Sequence, residues 1–216
     1  MASSYLTKSD FTPSTNTSYT VSFWIKISDD SPTGSNTPYL WSVGPGAETS
    51  GIFYQADTTP HTIAWYNGNA SVETIYAPLN CQRDPAAWYH VVMKVSSGTA
   101  TLYFNGTEVK GSMTAPPLDD ATGSTHTIHA YALDNTLNNL DCVMAHFHFI
   151  DGTAYNPSSF GETDATSGIW VPITAPSVTY GATGYFLKFA SGALGTDSSG
   201  NGNNFTTSGT LTNTKD

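Results

Sequence analysis

The sequence is poor in charge and has no long apolar run. Charged residues make up 11% of the 216 residues, and the seven Lys and Arg are scattered along a chain of net charge −10. No basic face is available for a phosphate backbone, so the composition argues against nucleic-acid binding. No stretch approaches the ~20 apolar residues of a membrane span, and the opening MASSYLTKSD lacks the regions of an export signal. We therefore expect neither a membrane span nor an export leader.

Cysteine is almost absent as well. Cys81 and Cys142 lie far apart, and neither belongs to a C-x-x-C pair. This spacing supports no zinc or redox motif, so we expect two buried thiols. Aromatic residues, by contrast, reach 12%, and Thr, Ser, Gly and Asn separate short apolar segments. The composition is typical of an ordered all-β protein.

The clearest strand signal is the period-two alternation in YTVSFWIKIS, residues 19–28. Its apolar row is predicted to face the core, and it comprises Tyr19, Val21, Phe23, Ile25 and Ile27. The opposite row contains Thr20, Ser22, Lys26 and Ser28, which predicts a half-buried strand. The run WYHVVMKV follows the same rule, and Asn105-Gly106 after it predicts a β-hairpin with a type I′ turn.

Similar short runs recur between Gly, Pro, Asn and Asp clusters and bring the count to about a dozen: PYLWSV, GIFYQA, HTIAWYN, SVETIYA, HTIHAYAL, NLDCVMAHFHFI, TGYFLKFA and NNFTTSG. No convincing amphipathic helix accompanies them. The pattern predicts one all-β domain over residues 1–216, a two-sheet antiparallel β-sandwich or jelly roll. Residues 151–183 are predicted to form an ordered irregular loop crossing the sandwich, with one short helical turn at 156–162.

Several motifs, in this order, resemble a known group of proteins. AWYHVVMKV followed by ATLYFNGTEV resembles the central hairpin of laminin-G-like, concanavalin A-like domains. The run AHFHFIDGTAYNPSSFGETDATSGIWVPI, then GYFLKFA and LGTDSSGNGNNFT, is similar to a segment of tailed-bacteriophage structural proteins that carry this domain. The resemblance implies a concanavalin A-like jelly roll on a virion surface, in a tail fibre or a capsid appendage. Its expected partners are other virion proteins and a host-surface glycan, and we expect a homo-oligomer, a trimer by analogy with fibre-like appendages.

The stretch MAHFHFIDG, residues 144–152, raises the question of a metal site. Alternation predicts that Val143, Ala145, Phe147 and Phe149 face the core, which places His146 and His148 together on the opposite face, about 7 Å apart. Two histidines fall short of the ligands that zinc needs, and His126 and His129 would complete a site only if their strand lay alongside. We therefore expect no structural zinc.

Catalytic motifs are incomplete. Glycanases of this fold carry E-x-D-x-x-E, in which two carboxylates flank the scissile bond. Here Glu162-Thr-Asp164 is followed by Ser167 where the second Glu belongs, and no G-x-S-x-G elbow is present. We expect a non-catalytic adhesin or capsid-decoration protein. The alternatives are a glycan-cleaving enzyme of the same fold and a secreted cellular lectin.

One loop offers an alternative to a simple turn. In DSSGNGN, residues 197–203, the side chains of Asp197, Ser199 and Asn201 alternate as oxygen ligands do in a calcium loop, but the closing Glu of an EF-hand is missing. We favour a turn in which Asn and Asp side chains accept backbone N–H bonds. Laminin-G-like domains often bind calcium at loop ends, so the resemblance keeps calcium as the alternative.

Tryptophan supplies the candidates for sugar binding, because an aromatic face packs against a pyranose ring. Most of the five tryptophans are expected in the core. Trp24 lies on the polar face of a well-defined strand and is predicted to be exposed. Trp65, with Tyr66 and Asn67 beside it, forms the second candidate group.

Overall fold

A computed structural model describes residues 4–12, 17–29, 38–44, 50–55, 62–67, 75–78, 84, 86–114, 118, 123–130 and 140–214. Within these ranges the chain forms fifteen strands: β1 (Tyr5–Phe11), β2 (Tyr19–Asp29), β3 (Tyr39–Gly44), β4 (Ser50–Gln55), β5 (Thr62–Asn67), β6 (Ile75–Pro78), β7 (Tyr89–Ser96), β8 (Thr99–Phe104), β9 (Thr107–Thr114), β10 (Ser124–Ile128), β11 (Asp141–Asp151), β12 (Gly161–Thr163), β13 (Trp170–Pro172), β14 (Tyr185–Leu187) and β15 (Thr206–Ser208). Among the described residues, no helix has the length and hydropathy needed to cross a bilayer.

Two large antiparallel sheets make up the fold. The seven-stranded sheet has the order β15-β1-β10-β3-β4-β5-β6, and the six-stranded sheet has the order β14-β11-β2-β7-β8-β9. A separate hairpin joins β12 to β13. The predicted two-sheet antiparallel sandwich is confirmed, and it is consistent with a concanavalin A-like fold.

The core lies between the two sheets and is rich in aromatic residues. The five apolar residues predicted to face inward from β2 all belong to it, as do Val91, Met93 and Val95 of β7. One polar link crosses this core, because the Trp41 indole N–H donates to the Tyr185 hydroxyl over 3.0 Å. The His126 ring contacts the same hydroxyl at 3.2 Å and is fully buried.

The β8–β9 hairpin follows the sequence prediction. Asn105 and Gly106 have φ values of 45° and 79°, and Phe104 pairs with Thr107 across them. Two positive φ values in a two-residue loop are what a type I′ turn requires. The Asn105 side-chain oxygen also accepts the His90 backbone N–H at 2.8 Å, which ties the turn to β7.

Residues 151–183, here called the crossing segment, lie against the outer face of the six-stranded sheet. The Thr20 hydroxyl of β2 donates to the Thr153 carbonyl and accepts the Tyr155 N–H, each at 2.8 Å. The predicted helical turn is confirmed as a 3₁₀ helix, Pro157–Ser159. Because this segment covers it, the polar row of β2 is not solvated as predicted: Thr20 and Ser22 are fully buried.

Strand β11 departs from simple alternation. His146 has a φ of 48°, and the pairing with β2 shifts between Ala145, opposite Trp24, and His148, opposite Ser22. Two residues therefore face one residue of β2, which defines a β-bulge and reverses the phase of the strand. Phe147 and Phe149 face the core as predicted, but the prediction for Val143 and Ala145 is wrong. Before the bulge, Cys142 and Met144 pack against the core instead.

Candidate functional site

The structure places the predicted sugar-binding tryptophans away from solvent. Trp24 is 5% exposed and stacks on the His90 ring, with 4.8 Å between centroids and 14° between planes. The prediction that Trp24 is exposed is wrong, because the crossing segment covers this face. Trp65 is 1% exposed within the core. Tyr66 and Asn67 end β5 opposite Gly51 and Ser50, and their side chains lie outside the described part of the structure.

His90 is held in one tautomer beneath the crossing segment. The indole Nε1–H of Trp170 donates to His90 Nδ1 at 3.0 Å, and His90 Nε2 lies 2.8 Å from the Ser22 hydroxyl. Since indole is only a donor, Nδ1 accepts and the proton resides on Nε2. Burial, reinforced by the charge of a protonated His146, lowers the pKa of His90 to about 3. The His90 imidazole is therefore neutral at physiological pH. It links Trp24, on which it stacks, to Trp170, from which it accepts a hydrogen bond.

The histidine pair of β11 lies on the outer face, as predicted. The ring centroids of His146 and His148 are 6.3 Å apart. His148 is 1% exposed, stacks on Phe186 at 4.0 Å, and its Nδ1 lies 2.9 Å from the Tyr180 hydroxyl. Burial lowers the pKa of both histidines. The pair thus packs against the crossing segment and β14.

A third ligand for a metal does not join this pair. His126 belongs to β10 in the other sheet, and it is fully buried against the core residue Phe149. Among the residues that the structure describes, no three His, Cys, Asp or Glu side chains are grouped to hold a metal ion. The absence of zinc stays a prediction, which elemental analysis of the purified protein tests.

The loop at 197–203 forms a hydrogen-bonded turn. Asp197 Oδ1 accepts the N–H groups of Phe186 and Ser199 at 2.9 and 2.8 Å. Its Oδ2 accepts the Asn203 N–H at 2.9 Å and the Ser199 hydroxyl at 2.8 Å. The Asn201 amide donates to the carbonyls of Gly181 and Gly184. The favoured turn is therefore what the structure shows. Calcium, which prefers six to eight oxygen ligands, stays the alternative prediction for this loop.

We expect Asp197→Ala to destabilise the protein by about 2 kcal/mol, because it leaves the N–H groups around β14 without their acceptor. Urea unfolding of the variant measures this loss. The chelator EDTA should leave the melting temperature of the unmodified protein unchanged. A lower melting temperature in EDTA, restored by added calcium, would instead establish the calcium site.

The structure also reveals a cleft that the sequence did not predict. It has a volume of about 480 Å³ and lies at the sandwich edge where β1 and β10 of one sheet meet β11 and β14 of the other. Residues 210–214 of the C-terminal part contribute one wall. We call it the edge cleft, and the residues of its lining that matter below are Trp88, His129, Asp141, Cys142, Lys188 and Asn213.

His129 lies in the wall of the edge cleft in an unusual state. Its Nδ1 lies 3.0 Å from the Ser4 carbonyl and its Nε2 lies 2.9 Å from the Leu140 carbonyl. A carbonyl oxygen only accepts, so both ring nitrogens must carry protons and His129 is an imidazolium. Burial by itself lowers the pKa of His129, but the neighbouring Cys142 and the two carbonyls outweigh it and raise the pKa to about 9.

Trp88 supplies the aromatic surface of the edge cleft. It precedes β7 and is half-buried, and the Lys26 ammonium of β2 lies 5.5 Å from the centre of its ring. Lys188, just after β14, is exposed, and its ammonium lies 5.3 Å from the Phe186 ring. The edge cleft is therefore lined by an indole, by the cationic residues His129 and Lys188, and by residues 210–214. The sequence analysis did not single out Trp88 from the five tryptophans, because no local pattern marks it as accessible.

A sequence profile of the concanavalin A-like lectin/glucanases superfamily, of the laminin G type, matches residues 1–153. The chain belongs to this superfamily. Its name joins lectins and glucanases, so membership is compatible with binding and with catalysis. The matched part ends just beyond β11, whereas the crossing segment, β14, β15 and one wall of the edge cleft follow it. No curated protein sequence matches the chain significantly.

Comparison with solved structures finds several similar chains. A heptameric SAP-like pentraxin from Limulus polyphemus is 19% identical, with 72% of each chain covered and a TM-score of 0.51. Domain 4 of an extracellular arabinanase from Geobacillus stearothermophilus, in complex with arabinotriose, is 16% identical, over 66% of this chain and 64% of that one, with a TM-score of 0.46. The binding domain of botulinum neurotoxin serotype D is 18% identical, over 69% of this chain and 35% of that one, with a TM-score of 0.48. At these identities the likeness concerns the fold alone.

Proposed function

We propose that this protein is a non-catalytic, lectin-like protein of a bacteriophage virion surface, and that it binds a host-surface glycan in the edge cleft. The observation that supports this proposal best is the cleft itself, which is lined by Trp88 and by the polar residues Asp141, Lys188 and Asn213. Carbohydrate sites combine an aromatic face for the ring with a few polar groups for its hydroxyls. The lectin-type superfamily is consistent with such a role.

The arrangement of the carboxylates supports binding rather than catalysis. Glu162 is exposed on β12, and Asp164 Oδ1 accepts the N–H and hydroxyl of Ser167 at 2.7 Å within the turn that joins β12 to β13. A retaining or inverting glycosidase needs two carboxylates facing each other across a bound sugar. Polysaccharide turnover that Glu162→Gln abolishes would instead support the enzyme alternative.

We expect Trp88→Ala to weaken glycan binding about tenfold, because the ring loses its stacking surface while the fold keeps its core. A glycan array identifies the ligand, and calorimetric titration of protein and variant with that ligand measures the change. Ile169→Ala is the control, since Ile169 is 62% exposed and lies on the crossing segment outside the cleft. Equal affinity of Trp88→Ala and the unmodified protein would rule out the edge cleft as the glycan site.

A single cleft of this kind binds a sugar weakly, so a virion gains adhesion by presenting several copies. We propose a homo-oligomer, a trimer by analogy with fibre-like appendages, joined to other virion proteins of the capsid or tail. Sedimentation equilibrium gives the oligomeric state, and mass spectrometry of purified virions tests the location. A protein that stays monomeric at high concentration and is missing from virions would contradict this part and favour a cellular lectin.

A further inference from the structure

The charge around the edge cleft is opposite to that of the protein. The chain carries seven Lys and Arg against 17 Asp and Glu, a net charge of −10. Lys188 and the imidazolium of His129 both line the cleft, and Lys26 lies over its Trp88. Asp141 is the one carboxylate among the described residues of the lining. Although the protein has few cationic residues, three of them lie in or next to the edge cleft, close to Trp88.

The two cationic residues of the lining, His129 and Lys188, differ in how they can interact with a ligand. Both N–H groups of His129 are engaged by carbonyls, so this ring acts on a ligand through its charge alone. Lys188 follows the buried residues Tyr185–Leu187 of β14, so its backbone is fixed while its exposed ammonium reaches over Phe186. Its flexible, exposed side chain can turn from this ring toward the cleft, so it is the cation of the lining that can pair with a bound anion. Charges that share a partly buried site interact more strongly than charges on an open surface.

We propose that the edge cleft takes an acidic saccharide, a sugar bearing a carboxylate, with its ring on Trp88 and its carboxylate paired with Lys188. This inference rests on the proposed function, since it names the class of glycan for the same site. A neutral saccharide would leave the concentrated positive charge uncompensated. Asp141 then favours the correct orientation, because it repels the carboxylate from its own side of the cleft and accepts bonds from sugar hydroxyls.

The test compares an acidic saccharide with its own uncharged methyl ester. The acidic glycan that binds best on an array of acidic and neutral glycans is titrated next to its own methyl ester, which has the same ring and no charge. We expect the acid to bind about fivefold more tightly in dilute buffer and the difference to shrink at about 0.3 M salt, where screening is strong. Lys188→Gln should remove most of this preference, and the charge of His129 accounts for what remains.

Lys8→Gln is the matched control, because the Lys8 ammonium also lies over a phenylalanine ring, 5.1 Å from the centre of Phe11, but outside the cleft lining. This variant should keep the fivefold preference. Equal binding of acid and ester by the unmodified protein would overturn the inference and leave glycan binding intact. Failure of every glycan on the array to bind would overturn the proposed function together with the inference.

Discussion

Replacing Trp170 by alanine is expected to lower the free energy of unfolding by about 3 kcal/mol, a typical cost for removing a large packed aromatic side chain. The indole lies over Gly106 of the β8–β9 turn and against Gly161, where an added Cβ would come within 2.8 Å and 2.6 Å of the ring. Its loss would also leave His90 Nδ1, a buried acceptor, without its donor. Trp170 thus anchors the crossing segment to the six-stranded sheet.

Urea denaturation measures this loss, and Trp170→Phe separates its two components. Phenylalanine keeps most of the ring but has no N–H, so it should recover part of the stability while His90 stays without its donor. Ile169→Ala, at the exposed neighbouring position, should change the stability little. If Trp170→Ala is as stable as Ile169→Ala, the crossing segment is not held by this stack.

The alternation of apolar and polar residues correctly predicted which residues of β2 face the core. Tyr19, Phe23 and Ile27 face the core because a strand places every second residue on one face, and this period depends on the chain alone. The Asn105-Gly106 turn was equally readable, because few residue pairs tolerate two positive φ values. These features require no knowledge of what lies opposite.

On the outer face of the six-stranded sheet, by contrast, burial depends on which distant segment packs against each residue. Trp24 is predicted to be exposed from its own strand, but it is buried against His90, and Trp170, far along the chain, covers this region and donates to the His90 ring. The bulge at His146 is similar, since nothing in AHFHF marks the residue that adopts a φ of 48°. A one-residue shift reverses which side chains face inward, so alternation could not place Val143 and Ala145.

The edge cleft was hidden for the same reason. Its lining comes from Ser4, Trp88, His129, Lys188 and residues 210–214, which are distant in sequence and meet only when the C-terminal strands join the sheet edges. His129 was visible in HTIH as a titratable residue, but the two carbonyls that define its protonation belong to other segments. The residue type alone showed that His129 can titrate. Its protonation state depends on contacts with residues far away in the sequence, which the sequence does not show.

The state of His129 leads to the second large effect, a loss of stability on the alkaline side of neutrality. Because the folded-state pKa is about 9 and the ordinary value is 6.5, the folded protein keeps a proton that the unfolded chain releases in this interval. The stabilisation is complete below pH 6.5 and disappears as the pH rises through 9. A shift of this size corresponds to about 3 kcal/mol. The lowered pKa values of His90, His146 and His148 act in the opposite direction, because the unfolded chain loses those protons around pH 6.5, so well above that pH they are neutral in both states and leave the slope to His129.

Urea unfolding at a series of pH values across this interval measures the slope, and NMR titration of the His129 ring gives its pKa directly. His129→Asn is the matched control, because Asn tolerates the φ of 66° found here, keeps an N–H donor and does not titrate. Its stability should not fall as the pH rises over the same interval. Cys142→Ser removes the thiol and keeps the carbonyls of Ser4 and Leu140, so the slope should become shallower without changing sign. A slope that persists in His129→Asn would show that another group holds the proton, because asparagine in this position has none to release.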